Sequence, residues 1–280
     1  TVRLSGAGTL GDAAGALTFS NSAGYGYGSV DLNGVDLGVG NLSGAGGKIY
    51  NGNASLSTLT IGNGDATGGV FRGSIADGTS GIELIKVGAG TLSLVQNTNR
   101  VSGGLTLSGG VLVVSNALLA ISNRLAIASV GNVNSGTNIA TLDVSAATNF
   151  TANVDTIQVG VSTNAFGGSP IILGTLKLGT NNSLNAASSI VIGEMGNTFN
   201  TLVQSVTTAD NGVTSVQTPG LTLGGSKASA TFSVGAGATL NLGTSGNRTA
   251  LSIAASPRGG SGSYTGNLDG SVDTMNVWLS

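Results

Sequence analysis

The most regular feature of this chain is a short unit of two aliphatic residues, spaced two positions apart and followed by glycine. Side chains two residues apart point to the same face of a strand, and glycine then lets the backbone turn. The unit therefore predicts many strands of three or four residues, each ending at a corner. Its copies include Val35/Leu37/Gly38, Leu59/Ile61/Gly62, Ile157/Val159/Gly160, Leu176/Leu178/Gly179, Ile190/Ile192/Gly193, Leu221/Leu223/Gly224, Phe232/Val234/Gly235 and Leu240/Leu242/Gly243.

A single strand of this length buries too little apolar surface to be stable, so it needs neighbours that repeat it. Self-similar strands along the whole chain indicate a repeat architecture in which each winding stacks on the one before. We predict an all-β fold: a right-handed parallel β-solenoid, or β-helix, built from short strands with Gly and Asn at the corners. At about 20 to 25 residues per coil, the chain predicts on the order of a dozen coils.

Composition barely changes along the sequence, which predicts one solenoid domain over residues 1–280, an excerpt or subunit of a longer repetitive extracellular protein. A Gly/Ser run at Gly259–Gly262 predicts a flexible loop over residues 256–270.

One stretch of the sequence is compatible with either a helix or a strand. Apolar residues within Val114–Leu125 match helical spacing, whereas Leu125 and Ile127 alternate as in a strand; the strand-like neighbours favour the strand.

Composition excludes several classes of function. Only 8% of the residues are charged and the net charge is −2, which excludes a basic nucleic-acid binder. Cysteine and histidine are both absent, so thiol nucleophiles, Ser-His-Asp triads and Cys/His zinc sites are excluded. No apolar run approaches the length needed to span a bilayer as a helix. We expect no cofactor, no metal, no nucleic-acid partner and no membrane insertion by this segment.

Residues 88–94 read Gly-Ala-Gly-Thr-Leu-Ser-Leu, Asn97-Thr98 follows, and residues 103–112 supply a Gly-rich corner and a second alternating strand. On these motifs, residues 86–115 resemble the autotransporter-associated β-strand repeat of bacterial passenger domains. The repeat has Gly-x-Gly-Thr-Leu-x-Leu, an Asn-Thr turn, a Gly-rich corner and a further alternating strand; Asn99 stands where the family usually has an aromatic residue. The resemblance implies a bacterial β-helical passenger, exported through the outer membrane to the cell surface and used as a stalk, adhesin or matrix component. The matching positions are Gly88, Gly90, Thr91, Leu92, Leu94, Asn97, Thr98, Gly103, Leu105, Leu107, Gly110 and Leu112.

The densest group of charges predicts one of two roles. Asp77 and Glu83, placed on adjacent coils beside a sugar groove, would form an acid/base pair or hold Ca²⁺ through oxygen ligands. The favoured interpretation is that these charges are solvated corner residues, which keep a nearly uncharged solenoid soluble and prevent lateral strand pairing. The group consists of Asp65, Arg72, Asp77, Glu83 and Lys86.

Tyr25 and Tyr27 alternate with glycines, which places both rings on one face of a strand. They would either stack on sugars as a ligand-binding site or cover the first coils and pack on a neighbouring chain. Trp278, the only tryptophan, is expected to cap the last coil.

These patterns predict a non-enzymatic structural module that acts as a stalk, filament or matrix component and continues end to end with further coils. The alternative is an adhesin that binds a glycan or matrix protein through Tyr25 and Tyr27. A carbohydrate-active β-helix enzyme that uses the charges of residues 65–86 is a third hypothesis.

Overall fold

A computed structural model describes residues 1–6, 10–21, 26–66, 68–132, 136–164, 171–195, 202–254, 265–270 and 274–280. Within these ranges the chain is built from β-strands, with one 3₁₀ turn at Asn63–Asp65. The first strands are β1 (Val2–Arg3), β2 (Ala16–Phe19), β3 (Ser29–Asp31), β4 (Leu37–Val39), β5 (Asn41–Gly44), β6 (Lys48–Tyr50), β7 (Ser57–Ile61), β8 (Gly68–Phe71), β9 (Ser74–Ala76), β10 (Ile82–Lys86), β11 (Thr91–Val95), β12 (Thr98–Val101), β13 (Gly104–Leu107) and β14 (Gly110–Ser115). The remaining strands are β15 (Leu118–Asn132), β16 (Thr137–Ala146), β17 (Asn149–Asn164), β18 (Ile171–Leu178), β19 (Asn181–Met195), β20 (Leu202–Ala209), β21 (Gly212–Gln217), β22 (Gly220–Gly225), β23 (Ala228–Val234), β24 (Ala238–Leu242), β25 (Ala250–Ile253), β26 (Thr265–Asp269) and β27 (Thr274–Val277).

The strands form three parallel ladders, so each coil has three faces. Face 1 stacks β1, β3, β6, β9, β12, the first halves of β15, β17 and β19, and then β21, β24 and β27. Face 2 stacks β4, β7, β10, β13, the second halves of the same three long strands, β22 and β25. Face 3 is a 10-stranded sheet from β2 to β26. The predicted all-β parallel solenoid is confirmed.

The core is made of inward-facing columns, in which each side chain packs on its equivalent in the next coil. On face 2, Leu59, Leu84 and Leu105 are paired in register, and each is completely buried. Both aliphatic residues of the repeated unit are buried in seven of its eight copies, as predicted. The copy that begins at Val35 differs, because Val35 lies before β4 and is half-buried, while its glycine, Gly38, lies within β4. Burying one such side chain stabilises the fold by about 1.5–3 kcal/mol, so the stability accumulates coil by coil.

We name the corners by the faces that they join: the first corner joins faces 1 and 2, the second joins faces 2 and 3. At the second corner the residues that follow Ile127, Val159 and Leu223 all have positive φ angles. Glycine is favoured at such positions, because a Cβ atom collides with the backbone there. The column consists of Ala128 (φ 48°), Gly160 (φ 60°), Gly193 (φ 68°), Gly224 (φ 69°) and Ala254 (φ 50°). Positive φ angles at Asn33, Asn116 and Asn123 confirm the predicted Asn corners.

The stretch with two possible structures is extended. Leu125 and Ile127 both lie on β15 and are completely buried, so the favoured strand is confirmed and the helix is wrong. The 256–270 loop is partly corrected, because Thr265–Asp269 forms β26 and pairs with β23; residues 255–264 lie outside the described residues.

Coil length differs from the prediction. Paired residues on face 3 are separated by as few as 20 positions, as for Thr91 and Val111, and by as many as 36, as for Ser229 and Thr265. Within the described residues face 3 still has 10 rungs, on the order of the dozen coils expected, although some connections are longer than the repeated unit alone suggests.

Candidate functional site

The predicted tyrosine site falls only partly on described residues. Tyr25 lies outside them. Tyr27 is 41% exposed, and its ring lies over Gly46 of the following coil, where an added Cβ would be 2.2 Å from the ring. The ring therefore packs on glycine backbone with part of its surface open to solvent, and a ligand-binding role for the pair stays a prediction.

The group of charges does not converge on one point. Asp65 is exposed on the 3₁₀ turn and accepts a hydrogen bond from Ala89 N at 2.6 Å, while Arg72 is exposed and donates to Gln96 Oε1 at 2.9 Å. Asp77 lies between β9 and β10 and Glu83 lies on β10. The expected placement of these two carboxylates on adjacent coils is wrong, because a short first-corner loop joins the two strands within one coil.

Asp77 binds backbone instead of facing a groove. Its Oδ1 accepts hydrogen bonds from Ile82 N at 3.0 Å and Ser102 N at 3.1 Å, and Oδ2 lies 3.2 Å from the same Ser102 nitrogen. Ser102 belongs to the next coil, so this carboxylate fastens the first corner of one coil to that of the next. Both oxygens are occupied, which is the arrangement of a structural cap.

Lys86 is not solvated as predicted; its side chain is completely buried. It occupies an inward position of face 2, paired with Ile61 and Leu107. Its Nζ donates hydrogen bonds to Val87 O at 2.5 Å and Gly88 O at 3.1 Å at the second corner. Burial lowers the pKa of this amine, and the nearby charge of Asp65 only partly offsets that effect. The alternation of β10 puts position 86 inside, whatever residue type stands there.

Sequence reasoning missed Asp31, a completely buried carboxylate at the first corner. It accepts hydrogen bonds from Gly52 N at 2.8 Å, Asn33 N at 3.0 Å and the Arg3 guanidinium at 2.8 Å. Burial raises the pKa of Asp31, but these donors, first of all Gly52 N, outweigh burial, so the pKa lies below its usual value. The sequence did contain a signal: Asp31 stands two residues before Asn33, and an Asp at such a position favours an Asx turn.

Asn51 occupies the same corner one coil later and is also completely buried. Its Oδ1 accepts from Gly34 N of the preceding coil at 3.0 Å, and its Nδ2 donates to Gly81 O of the following coil at 3.0 Å. One amide therefore joins three successive coils. Asn123 continues this role further along the solenoid, where its Nδ2 donates to Gly103 O at 2.9 Å.

The residues of the repeat-like stretch take structural positions. Leucines face inward on β11, β13 and β14 and are completely buried: Leu92, Leu94, Leu105, Leu107 and Leu112. Gly88, Gly104 and Gly110 have positive φ angles at corners. Asn97 donates to the Arg72 carbonyl one coil earlier. Asn99, at the position where the family usually has an aromatic residue, is inward-facing and 1% exposed.

An open groove of about 720 Å³ follows the first corner of the C-terminal half. Four successive coils line it, and three of them contribute an amide in one register: Asn153 pairs with Asn185, which pairs with Gln217. Asn185 Nδ2 donates to Asn153 Oδ1 at 2.8 Å, which joins two of these amides; we call the three stacked residues the amide ladder. The fourth coil contributes the turn before β25, including Asn247 and Arg248.

Arg248 is the one ionisable residue among those that line this groove. Its Nη1 donates to Leu279 O at 2.8 Å, which anchors the guanidinium at the C-terminal end. The turn that carries it is closed by hydrogen bonds between Thr244 and Asn247, from Thr244 N to Asn247 O at 2.8 Å and from Asn247 N to Thr244 Oγ1 at 3.0 Å.

Part of the chain is similar to a known surface protein. A stretch of 115 residues, 40% of this chain, is 36% identical to the adhesin BmaC autotransporter of Brucella suis biovar 1 (strain 1330). The chain spans only 3% of that protein's length. No family model matches the chain. No solved structure matches it.

The similarity and the fold agree with each other. The matched protein is an autotransporter adhesin by name, and the passenger-like repeat of residues 86–115 is folded here as a parallel solenoid. In the described ranges no helix is long and apolar enough to cross a membrane, and no three acidic residues lie together in a group suited to a metal ion.

Proposed function

We propose that this chain is a stiff spacer in the extracellular stalk of a bacterial adhesin exported to the cell surface. The observation that carries the proposal is the three-faced parallel ladder, which continues from coil to coil through the described residues. The similarity to an autotransporter adhesin supports a surface role. A spacer needs length and resistance to bending, and it needs no catalytic group.

The stiffness of such a spacer comes from bonds that run along the axis. In a parallel solenoid the hydrogen bonds of every rung join one coil to the next, so stretching the rod must break many bonds together. Side chains at the first corner add to them, because Asn51 joins three coils and Asp77 joins two. Bending at this corner would break buried hydrogen bonds, which cost about 1–3 kcal/mol each when left unsatisfied.

The proposal includes continuation of the ladders beyond the described coils. β4 pairs with β7 alone and β25 pairs with β22 alone, so each has one edge without a strand partner within the described part of the chain. Such an edge presents N–H and C=O groups that another parallel strand can pair with. We propose that further coils of a longer chain, or the equivalent coils of a second copy, pair there end to end.

The spacer role is tested by changing the number of copies. One or two tandem copies of the chain are placed between a cell-surface anchor and a fluorescent reporter, and the height of the reporter above the membrane is measured by energy transfer. A second copy adds ten rungs to the 10-stranded face, so it should raise the reporter by roughly 48 Å. An increase that follows the square root of chain length, as for a flexible coil, would overturn the proposal.

A further inference from the structure

We propose that the first-corner groove binds an anionic polysaccharide, laid parallel to the solenoid axis across four coils. This is a binding activity of the segment itself. It goes beyond the spacer role, and either proposal can fail without the other.

The amide ladder supplies a repeating set of hydrogen-bonding groups. Asn153, Asn185 and Gln217 lie in one register on successive coils, about 4.8 Å apart. Asn185 Nδ2 already donates to Asn153 Oδ1 and Ser183 Oγ. Within the described residues, Asn153 Nδ2, Asn185 Oδ1 and the Gln217 amide are therefore left to donate to or accept from sugar hydroxyls. Among the described residues, Gln217 makes no side-chain hydrogen bond and is exposed, so its amide is available. A polymer that advances by a similar distance per sugar meets one amide per coil.

The charge of the groove selects an acidic ligand. Arg248 is exposed, and within the described residues its side chain makes one hydrogen bond, to Leu279 O, which leaves most of its five N–H donors available. A guanidinium pairs with a carboxylate or sulfate through two parallel hydrogen bonds. Asp155 is not among the lining residues, and its Oδ1 accepts a hydrogen bond from Ser188 Oγ at 2.5 Å. The attraction is local, since the whole chain carries a net charge of −2.

The groove suits a sugar chain better than a peptide. An extended peptide is usually held by pairing its backbone with a free strand edge. β17, β19 and β21 are each paired on both sides, so no such edge faces a ligand here. The apolar side chains of the lining are small, the largest exposed one being Pro219, and they offer no deep pocket for a peptide anchor residue.

The test uses the isotope-labelled full chain and a panel of defined probes: oligogalacturonate, hyaluronan and chondroitin sulfate oligosaccharides, sialyllactose, neutral dextran oligosaccharides and hexaglutamate. Binding is followed through backbone amide resonances at low and high salt. We expect at least one acidic sugar, and no dextran, to shift the resonances of residues 153–154, 185–187, 217–218 and 246–248. High salt should weaken the shifts.

Three variants make the result specific. Arg248→Gln should weaken binding at least tenfold, and Gln217→Ala, which removes an exposed side chain, should weaken it while leaving the melting temperature unchanged. Arg124→Gln is the matched control, because Arg124 is an exposed first-corner arginine outside the groove whose Nη2 donates to Gln158 Oε1. Shifts confined to other faces, shifts with hexaglutamate alone, equal loss in all three variants, or no binding of any acidic sugar would each overturn the proposal.

Discussion

The side-chain Oδ1 of Asn99 accepts a hydrogen bond of 3.0 Å from the backbone N–H of Ile75, one coil earlier. Between β9 and β12 the structure has a single paired position, Arg100 with Ala76, so the Asn99 amide replaces a missing rung of face 1. Its Nδ2 donates to Asn97 O at 3.2 Å, which satisfies the other end of the amide. Both ends of this buried amide therefore bind backbone groups.

Asn99→Leu should lower the free energy of unfolding by about 1–3 kcal/mol, because it leaves the buried Ile75 N–H without an acceptor. The measurement is urea denaturation followed by circular dichroism. Asn276→Leu is the control: Asn276 is exposed and its amide bonds another side chain, Asn241 Oδ1, so its loss should cost no more than about 0.5 kcal/mol. Equal stability of the Asn99 variant and the parent chain would contradict this account.

Lys86→Met should be neutral or stabilising, because a thioether side chain fits between Ile61 and Leu107 without a buried charge. The parent chain should also respond to alkali. The folded state holds the pKa of Lys86 below the usual 10.5, so the unfolded state binds more protons in the interval between the two values. Stability of the parent relative to the Met variant should rise with pH across that interval. Parallel pH profiles between pH 7 and 10.5 would contradict it.

Asp31→Asn should change the acid response of the chain. The pKa of Asp31 is below its usual 3.8 in the folded state, so this carboxylate contributes stability that is complete above pH 3.8 and is lost as pH falls through the folded value. The parent should therefore lose more stability on acidification than the Asn variant. Arg3→Ala removes the ion pair and leaves the backbone hydrogen bonds to Asp31 in place. Since Arg3 is largely exposed, we expect a small decrease in the free energy of unfolding that becomes smaller at high salt.

Gly224→Ala should destabilise the second corner by about 1–3 kcal/mol. Its new Cβ would lie 2.3 Å from Thr265 O, and the φ angle of 69° is itself unfavourable for alanine. Ala128→Gly is the reciprocal change in the same column. Relief of the strained φ is offset by the loss of a buried methyl group and by a more flexible unfolded chain, so the net effect should stay within about 1 kcal/mol. Thermal melting of both variants checks the contrast, and equal losses would contradict it.

Asp77→Ala should lower the free energy of unfolding, and we expect no catalytic activity that it could remove. Removing the carboxylate leaves Ile82 N and Ser102 N without their acceptor, at a cost of about 1–3 kcal/mol. Glu83→Ala should change stability by less than about 0.5 kcal/mol, because Glu83 faces outward on β10. We expect no new reducing ends or unsaturated uronates when the parent chain is incubated with oligogalacturonate. Product release that either substitution abolishes would establish catalysis.

The strands and corners could be predicted because their causes are local. Alternation at Leu221 and Leu223 and a glycine at position 224 describe a strand and its turn without knowledge of any other coil. The burial of Lys86 has the same local cause, but the residue type concealed it. A lysine is expected to face solvent, whereas the alternation along β10 places Lys86 on the inward side.

The polar contacts and the groove could not be predicted in this way. The role of Asn99 depends on which N–H of the preceding coil lies beside it, and the groove depends on the register that brings Gln217 beside Asn185, 32 residues earlier. Stacking sets both relationships, and coil length varies too much for the register to be counted along the chain. Asp77 was misplaced for the same reason.

The variable separation of paired residues on face 3, from 20 to 36 positions, indicates where sequence changes and insertions are tolerated. Each coil returns to the same alignment however long its connection is, and doubling a loop costs only about 0.6 kcal/mol of closure entropy. These connections are therefore the places to graft a foreign epitope for vaccine display.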